Sequence, residues 1–408
     1  MASLTAAPAA SIVPAGTAEN TTRWGAVYAM ALCSFVLVAS EFMPVSLLSP
    51  IARTLSLTEG QAGQAIAISG VFAVITSLSL STVLGRIDRR LVVLALTALL
   101  VVSGAIVAFA STYLVLMAGR ALLGVAIGGF WSMSASIAMR LVPEDQVAKA
   151  LAVINGGNAL ATVIAAPLGS FMGGLIGWRG AFFSVVPAAV AAIVWQAVTL
   201  PRLPMEQSQG GRAMLALLKR PPVVFGLVTV ALLFVGQFAL FTYLRPFLEQ
   251  VTHVGAAMLS AMLLIVGVAG FTGTVLIGRV LDKGLFLTLG VLPTMMAVVA
   301  VLLALLGGST LATAALLAVW GFAGTAAPVA WWTWLARTVP DEAEAGGGLM
   351  VAIVQLAITL GATVGGMVFD AAGPNVEFLT SAGLLGLAAV AGFTIGRLPS
   401  LLPHPIAA

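Results

Sequence analysis

From Gly284 to Ala336 the chain carries no charged side chain, and the runs Leu91–Gly119 and Ala150–Trp178 are equally free of charge. A helix needs about 20 mostly apolar residues to cross the roughly 30 Å hydrocarbon core of a bilayer. Each of these runs is long enough for one crossing, and the first for two. Only 8% of the 408 residues are charged, whereas a soluble domain carries about 25%. The chain therefore reads as an all-α membrane protein that crosses the bilayer many times.

Charges, prolines and glycines mark the breaks between spans. They predict twelve transmembrane helices near 25–50, 61–84, 91–110, 113–139, 148–174, 180–199, 222–248, 256–280, 285–306, 310–336, 347–369 and 378–397. The longest polar stretch, Pro201–Pro222, divides them into a six-helix bundle over 23–200 and another over 222–398, joined by a cytoplasmic linker at 201–221. Residues 1–22 have Glu19 as their only charge. A secretory signal needs a basic segment ahead of its apolar stretch, so this segment reads as a disordered cytoplasmic tail, and 399–408 as a C-terminal tail. With a cytoplasmic N-terminus, only Arg53, Arg120, Arg179 and Arg245 of the 18 basic residues fall outside or within spans. The positive-inside rule then puts both termini on the cytoplasmic side of the membrane.

Several function classes are excluded at this point. The lone Cys33 lies inside the first apolar run, which rules out a disulfide framework and a cysteine metal site. His253 and His404 sit at a helix end and in the tail, so no metal cluster is expected, and no nucleotide-binding Gly-rich loop is present. A membrane-embedded enzyme would need clustered His, Asp or Glu at helix ends, and a receptor would more often add a soluble signalling domain. Neither pattern is visible. The basic residues are spread over span ends, which argues against nucleic acid as a partner. No cofactor is called for; the expected partners are a small-molecule substrate, protons and the lipid bilayer, with the chain acting as a monomer.

Glu41 is the single most informative residue, because it stands in an otherwise uncharged run from Trp24 to Ala52. An acid in the middle of a membrane helix costs about 2.5–3.5 kcal/mol to insert and usually marks a proton or ion path. The alternative is a helix-end glutamate reaching for the surface. Helix arithmetic at about 1.5 Å per residue puts Glu41 and Arg120 in the same outer half of the bilayer. The expectation is an ion pair between them that protonation releases, the alternative for Arg120 being a structural hydrogen bonder between spans.

Polar side chains recur at helical spacing elsewhere. Asn155, Asn158 and Thr162 share one face of the fifth span, and Gln355, Thr359 and Thr363 one face of the eleventh. Carboxamides both donate and accept hydrogen bonds and can line a polar cavity, although packing between helices is the plainer use of such residues. Phe234, Gln237, Phe238 and Phe241 form a stripe on the seventh span, and Trp131 stands on the fourth. Aromatic faces stack on planar ligands, so Trp131, Asn155, Asn158, Gln237, Phe238, Gln355 and Thr359 are the candidate cavity residues. Trp332 and Trp334 read as interfacial belt residues.

The two halves also repeat. Thr82-Val-Leu-Gly-Arg86 returns as Thr274-Val-Leu-Ile-Gly-Arg279, and Arg140-Leu-Val-Pro-Glu-Asp145 as Arg337-Thr-Val-Pro-Asp-Glu342, in the same order and at equivalent loops. Duplicated six-helix halves with the substrate at their interface are a known transporter architecture. The loop Ser81-Thr-Val-Leu-Gly-Arg-Ile-Asp-Arg-Arg90 resembles the G-x-x-x-D-R-x-G-R-R signature of the major facilitator superfamily. It departs at Ser81, Gly85 and Asp88. Arg120-Ala-Leu-Leu-Gly124 is similar to the family's R-x-x-x-G pattern, and Ala166-Pro-Leu-Gly-Ser170 is a diverged form of the G-P-x-x-G-G motif of its drug:proton antiporters. Longer stretches, Glu41–Pro50, Gly128–Ser136 and Gly236–Pro246, are similar to the bacterial purine ribonucleoside efflux pumps of that superfamily.

The resemblance implies a fold of two pseudo-symmetric six-helix halves and alternating-access export of inosine- and guanosine-like nucleosides against protons. It also implies a cytoplasmic gate at Arg86, Asp88, Arg89 and Arg90. Multidrug or sugar efflux by the same fold is the alternative, with a membrane enzyme or receptor more distant.

Overall fold

The computed structural model describes residues 23–83, 87–204, 214, 216–339 and 342–395, with no strand among them. The helices are α1 (Trp24–Leu55), α2 (Glu59–Val83), α3 (Arg89–Ala108), α4 (Tyr113–Leu141), α5 (Val147–Phe183) and α6 (Val185–Thr199). After the polar segment follow α7 (Pro221–Thr242), the short α8 (Leu244–Gln250), α9 (Ala256–Leu306), α10 (Thr310–Thr338), α11 (Ala343–Ala372) and α12 (Pro374–Ile395). The tails expected at 1–22 and 399–408 lie outside the described residues.

Two of these helices are too long for one crossing. α9 has 51 residues, or about 77 Å at 1.5 Å each, more than twice the hydrocarbon core. Gly284 breaks it, at φ −124° and ψ 19°, into two antiparallel arms. Gly177 does the same near the end of α5, at φ 73° and ψ 165°, a conformation open to glycine and costly for other residues. The fifth and sixth spans are thus joined without the loop expected between 174 and 180, and α6 completes the crossing that starts at Gly177. With α8 continuing the span of α7, the bundle makes twelve crossings. α1 starts and α12 ends on the same face, termed proximal here; the α1–α2 and α11–α12 turns lie on the distal face.

Local chemistry sets the ends. Asp88 caps α3 by accepting Arg90 N at 2.9 Å, Thr112 caps α4, Ser309 caps α10, and Pro221 opens α7 in the first turn, where its missing N–H costs nothing. One buried core is built almost wholly from α1–α6 and a second from α7–α12.

Prolines inside spans shape this packing. A proline lacks the N–H that the carbonyl four residues earlier would accept, and lipid offers that carbonyl no substitute. Pro44 and Pro50 in α1, Pro167 in α5, Pro293 in α9 and Pro328 in α10 free the carbonyls of Ser40, Ser46, Val163, Leu289 and Gly324. Each has found a new partner on another helix. Arg120 Nη1 donates to Ser40 O at 2.7 Å, Arg245 Nη1 to Ser46 O, and Gln237 Nε2 to Gly324 O at 3.2 Å. The other two face glycines: a β-carbon on Gly267 would run into Val163 O, and one on Gly392 into Leu289 O. There the glycine hydrogen sits where the side chain would be, a Cα–H···O approach.

Candidate functional site between the two halves

Glu41 lies about 25 Å along α1 from Trp24 and is 4% exposed. Its Oε1 accepts a hydrogen bond from Gln355 Nε2 of α11 at 3.2 Å. The acid is therefore tied across the two halves of the bundle, and Gln355, 8% exposed, is its direct partner.

The expected pair with Arg120 takes a different form. Among the described residues the ion pairs are Arg53–Glu249, Arg220–Glu342 and Arg245–Glu249; Arg120 and the Glu41 carboxylate do not meet. The guanidinium is spent on main-chain oxygens instead: Ala65 O at 2.7 Å, Ser40 O at 2.7 Å and Glu41 O at 3.1 Å, with Ser69 Oγ at 3.1 Å. The reason is Pro44. By freeing Ser40 O it creates an acceptor that a planar five-donor cation satisfies well, and the same fork reaches Glu41 O and the backbone of α2. Arg120 is the hydrogen bonder among α1, α2 and α4 that stood as the alternative in the sequence reading.

Next to the acid, Phe42 brings α1 against α7. Its ring stacks on Phe238 with centroids 5.6 Å apart and meets Phe241 edge-on at 6.5 Å, while Phe234 and Phe238 are stacked at 6.2 Å. Phe42 was not singled out by spacing, since α1 is apolar on every side. Gln237, on the same stripe, is anchored to Gly324 O. Trp131 packs edge-on against Phe130 at 5.5 Å and, with Phe35 and Phe42, covers a small cluster of Val38, Ala39, Ala161 and Ala165. Asn155 is exposed on the proximal half of α5, its Nδ2 bonded back to Leu151 O at 2.9 Å. Asn158 stands one turn deeper and is half-buried, its carbonyl accepting from Thr162 at 2.9 Å. A β-carbon on the intervening Gly156 would meet nothing within 4 Å.

Thr359, expected in the cavity, is committed to a helix seam. Its hydroxyl donates to Ala67 O at 3.2 Å and Gln355 O at 2.9 Å, inside the seam where α2 packs on α11. That seam continues to the distal face through Thr363–Gln64 at 3.3 Å, and through Asp370, which accepts from Gly60 N at 2.9 Å and Thr58 Oγ1 at 2.6 Å. α5 and α9 meet through Ser170 and Ser260 at 2.9 Å. Arg245 crosses from α8 to Ser46 O of α1, held by Glu249 at 2.8 Å, and Glu249 also faces Arg53 at 3.7 Å. Among the described residues no hydrogen bond or ion pair joins α1–α6 to α7–α12 on the proximal side of Gln355. The polar contacts between the halves thus run from mid-membrane to the distal face, with Glu41, Gln355 and the Phe42–Phe238 stack at their proximal end.

The loop ahead of α3 is tied within its own half. Asp88 Oδ1 accepts from Arg90 N and Leu203 N, both at 2.9 Å, Arg89 N donates to Leu203 O at 3.0 Å, and Arg90 Nη2 donates to Ala197 O at 2.6 Å. Arg86 lies outside the described residues. Trp334 departs from the belt role: it is 1% exposed, with its ring against Gly226, while Trp332 is 42% exposed. Sequence reasoning also passed over Glu377, fully buried in α12 with neither carboxylate oxygen partnered among the described residues. Its place in the first turn of a span resembled an ordinary end charge.

The model of the Major Facilitator Superfamily matches residues 30–351. The chain belongs to this superfamily. It is a multi-pass membrane transporter, not an enzyme. A curated relative from Pseudomonas aeruginosa named transcription regulatory protein OpdE is 55% identical over 91% of this chain and 93% of its own. The purine ribonucleoside efflux pump NepI of Salmonella typhimurium is 42% identical over 90% of this chain and 93% of its own. Among solved structures, a bacterial homolog of the human lysosomal transporter Spinster, in an inward-facing and unoccupied conformation, superimposes with a TM-score of 0.79 at 16% identity, covering 92% of this chain and 97% of that one. At that identity the likeness speaks for the fold.

Proposed function

We propose that this transporter exports purine ribonucleosides in exchange for protons, by alternating access across a bacterial inner membrane with both termini in the cytoplasm. The observation that carries the proton half is the Glu41–Gln355 bond: one buried acid, placed where the two halves meet. The substrate half is supported by the stacked rings of Phe42, Phe234 and Phe238, the first next in the chain to Glu41 and its Gln355 partner, and by the efflux pumps of 42% identity. A regulatory role, as in the name of the Pseudomonas relative, has no matching feature at this site.

In the cycle proposed, the distal seal faces the periplasm, and a nucleoside enters from the cytoplasm between α5 and α11. Arg86, Asp88, Arg89 and Arg90 are proposed to act at the cytoplasmic gate when the halves rock the other way. A periplasmic proton loading Glu41 drives the return. A membrane potential supplies about 2.3 kcal/mol per charge per 100 mV, enough for roughly a fifty-fold gradient per proton at 1.4 kcal/mol per tenfold.

The test is inosine uptake into inverted membrane vesicles under an imposed pH gradient, wild type against Glu41→Gln. Gradient-driven uptake that the variant loses is expected. Drug or sugar movement with no inosine uptake would overturn the substrate assignment, and gradient-driven uptake retained by Glu41→Gln would remove Glu41 from the coupling.

A further inference from the structure

The orientation of the Gln355 amide is dictated by its partner. An ionised carboxylate only accepts, so Nε2 must face Glu41 Oε1, and Oε1 of the amide points elsewhere. That oxygen is buried and has no hydrogen-bond partner among the described residues. An orphaned acceptor of this kind is costly unless something supplies a donor. It lies beside Glu41, whose chain neighbour Phe42 stacks on Phe238, itself stacked on Phe234. A ligand that completes this site brings a planar apolar face and an in-plane N–H. A 6-oxopurine has both, its N1–H being a ring donor; in adenine the same nitrogen is an acceptor.

Building on the purine ribonucleoside reading above, we infer that Gln355 Oε1 accepts the N1–H of a 6-oxopurine nucleoside, and that protonation of Glu41 reverses the polarity this amide presents. With Glu41 ionised, Gln355 gives its NH2 to the acid and its oxygen to the substrate. When a proton adds to the Glu41 carboxylate, the new O–H donates to Gln355 Oε1, and a half-turn of the amide swings Nε2 toward the substrate. Donor then faces donor, and the nucleoside is released. The proton stays on Glu41 and no other covalent bond changes. Proton and substrate thus compete through one amide, which is what obligatory exchange requires.

The surroundings leave this switch to Glu41. Of the charged groups on helices packed against α1, only Arg120 of α4 stands at its level, and it is committed to the carbonyls of Ser40, Glu41 and Ala65. Glu59 on α2, Arg89 and Arg90 on α3, Arg140 on α4, Lys149 and Arg179 on α5, and Arg245 and Glu249 on α8 lie at helix ends, as does Arg53 of α1 itself. α6, α7 and, from Ala345 to Phe369, α11 carry no charge.

The experiment compares inosine with 1-methylinosine, which keeps the ring and loses only the N1 donor. The full-length protein is assayed for gradient-driven uptake in vesicles and for equilibrium binding in detergent at pH 6 and pH 8. The wild type is expected to favour inosine by about ten- to a hundredfold, the range one buried hydrogen bond gives, with the preference larger at pH 8. Gln355→Met should bring the two nucleosides to the same level at both values. Equal handling by the wild type, or a preference that survives Gln355→Met, overturns the inference while inosine transport keeps the parent reading intact. Failure of the wild type to move any purine nucleoside removes both. If Gln355→Met does not fold, the wild-type comparison and its pH dependence decide alone.

Discussion

Arg245 holds α8 to α1 across the distal seal, and replacing it with alanine gives a calculable shift in the opening equilibrium. Its ion pair with Glu249 is an i,i+4 contact within one helix, so it persists whether the halves are together or apart and cancels. The Arg53–Glu249 contact spans 3.7 Å with Arg53 68% exposed, and such exposed pairs contribute less than about 1 kcal/mol. What the sealed state alone owns is the charge-assisted bond from Arg245 to Ser46 O, the carbonyl freed by Pro50. Hydrogen bonds to charged groups contribute about 1.5–3 kcal/mol. Arg245→Ala should therefore raise the distally open fraction by about ten- to a hundredfold. The reporter is Ser170→Cys in a Cys33→Ser background, because Ser170 is 1% exposed at the α5–α9 seam and Cys33 is the sole native cysteine. Labelling of intact cells by a membrane-impermeant maleimide tracks that open fraction when reclosing outpaces reaction. Arg220→Ala, which removes the Arg220–Glu342 pair within one half, should leave the rate unchanged. An Arg245→Ala labelling rate within twofold of the parent would refute the reasoning.

Three further outcomes follow from the same structure. Gln237→Leu orphans Gly324 O and should lower the melting temperature, at a cost of about 1–3 kcal/mol. Pro328→Ala, by restoring an N–H to that carbonyl, should recover about 1 kcal/mol of the loss in a double-mutant cycle, and strict additivity would show that Gln237 has no role in covering the carbonyl. Glu377→Met replaces a buried acid lacking a hydrogen-bond partner among the described residues by an apolar chain of similar length, and thermal unfolding should show stabilisation of about 1–3 kcal/mol; a lower melting temperature would reveal a partner for the acid. Gly267→Leu should abolish transport with the protein still inserted, since its Cβ would enter Val163 O and pry α5 from α9; normal uptake would mean the two helices need not approach so closely.

The division between what sequence and structure each decide is physical. Hydropathy and charge placement acted through the bilayer, a solvent whose thickness and lack of hydrogen-bonding partners restrict the chain so strongly that local composition is enough. Those terms determined the all-α class and the twelve crossings, and they marked Glu41 as the one acid inside the first span, each readable from stretches of about 20 residues. The reversal points were legible too, since the predicted breaks at 174–180 and 280–285 enclose Gly177 and Gly284; that the chain turns there within a nearly continuous helical run was not, because glycine needs no loop residues to leave the helix.

The partnerships were decided only by the tertiary structure. Spacing placed Arg120 near Glu41, and opposite charge suggested a salt bridge. The actual competition was between a carboxylate and three carbonyl oxygens, and the proline four residues after Ser40 tipped it toward the carbonyls. Gln355 reached Glu41 from 314 residues away in sequence, Thr359 turned into the α2–α11 seam, and Trp334 went inward beside Gly226. A uniformly apolar helix carries no periodicity to say which face meets protein and which meets lipid, so these contacts depend on packing against helices distant in the chain. Proline positions offered the one local clue, since each fixes a carbonyl that must be met; which helix meets it was settled by the fold.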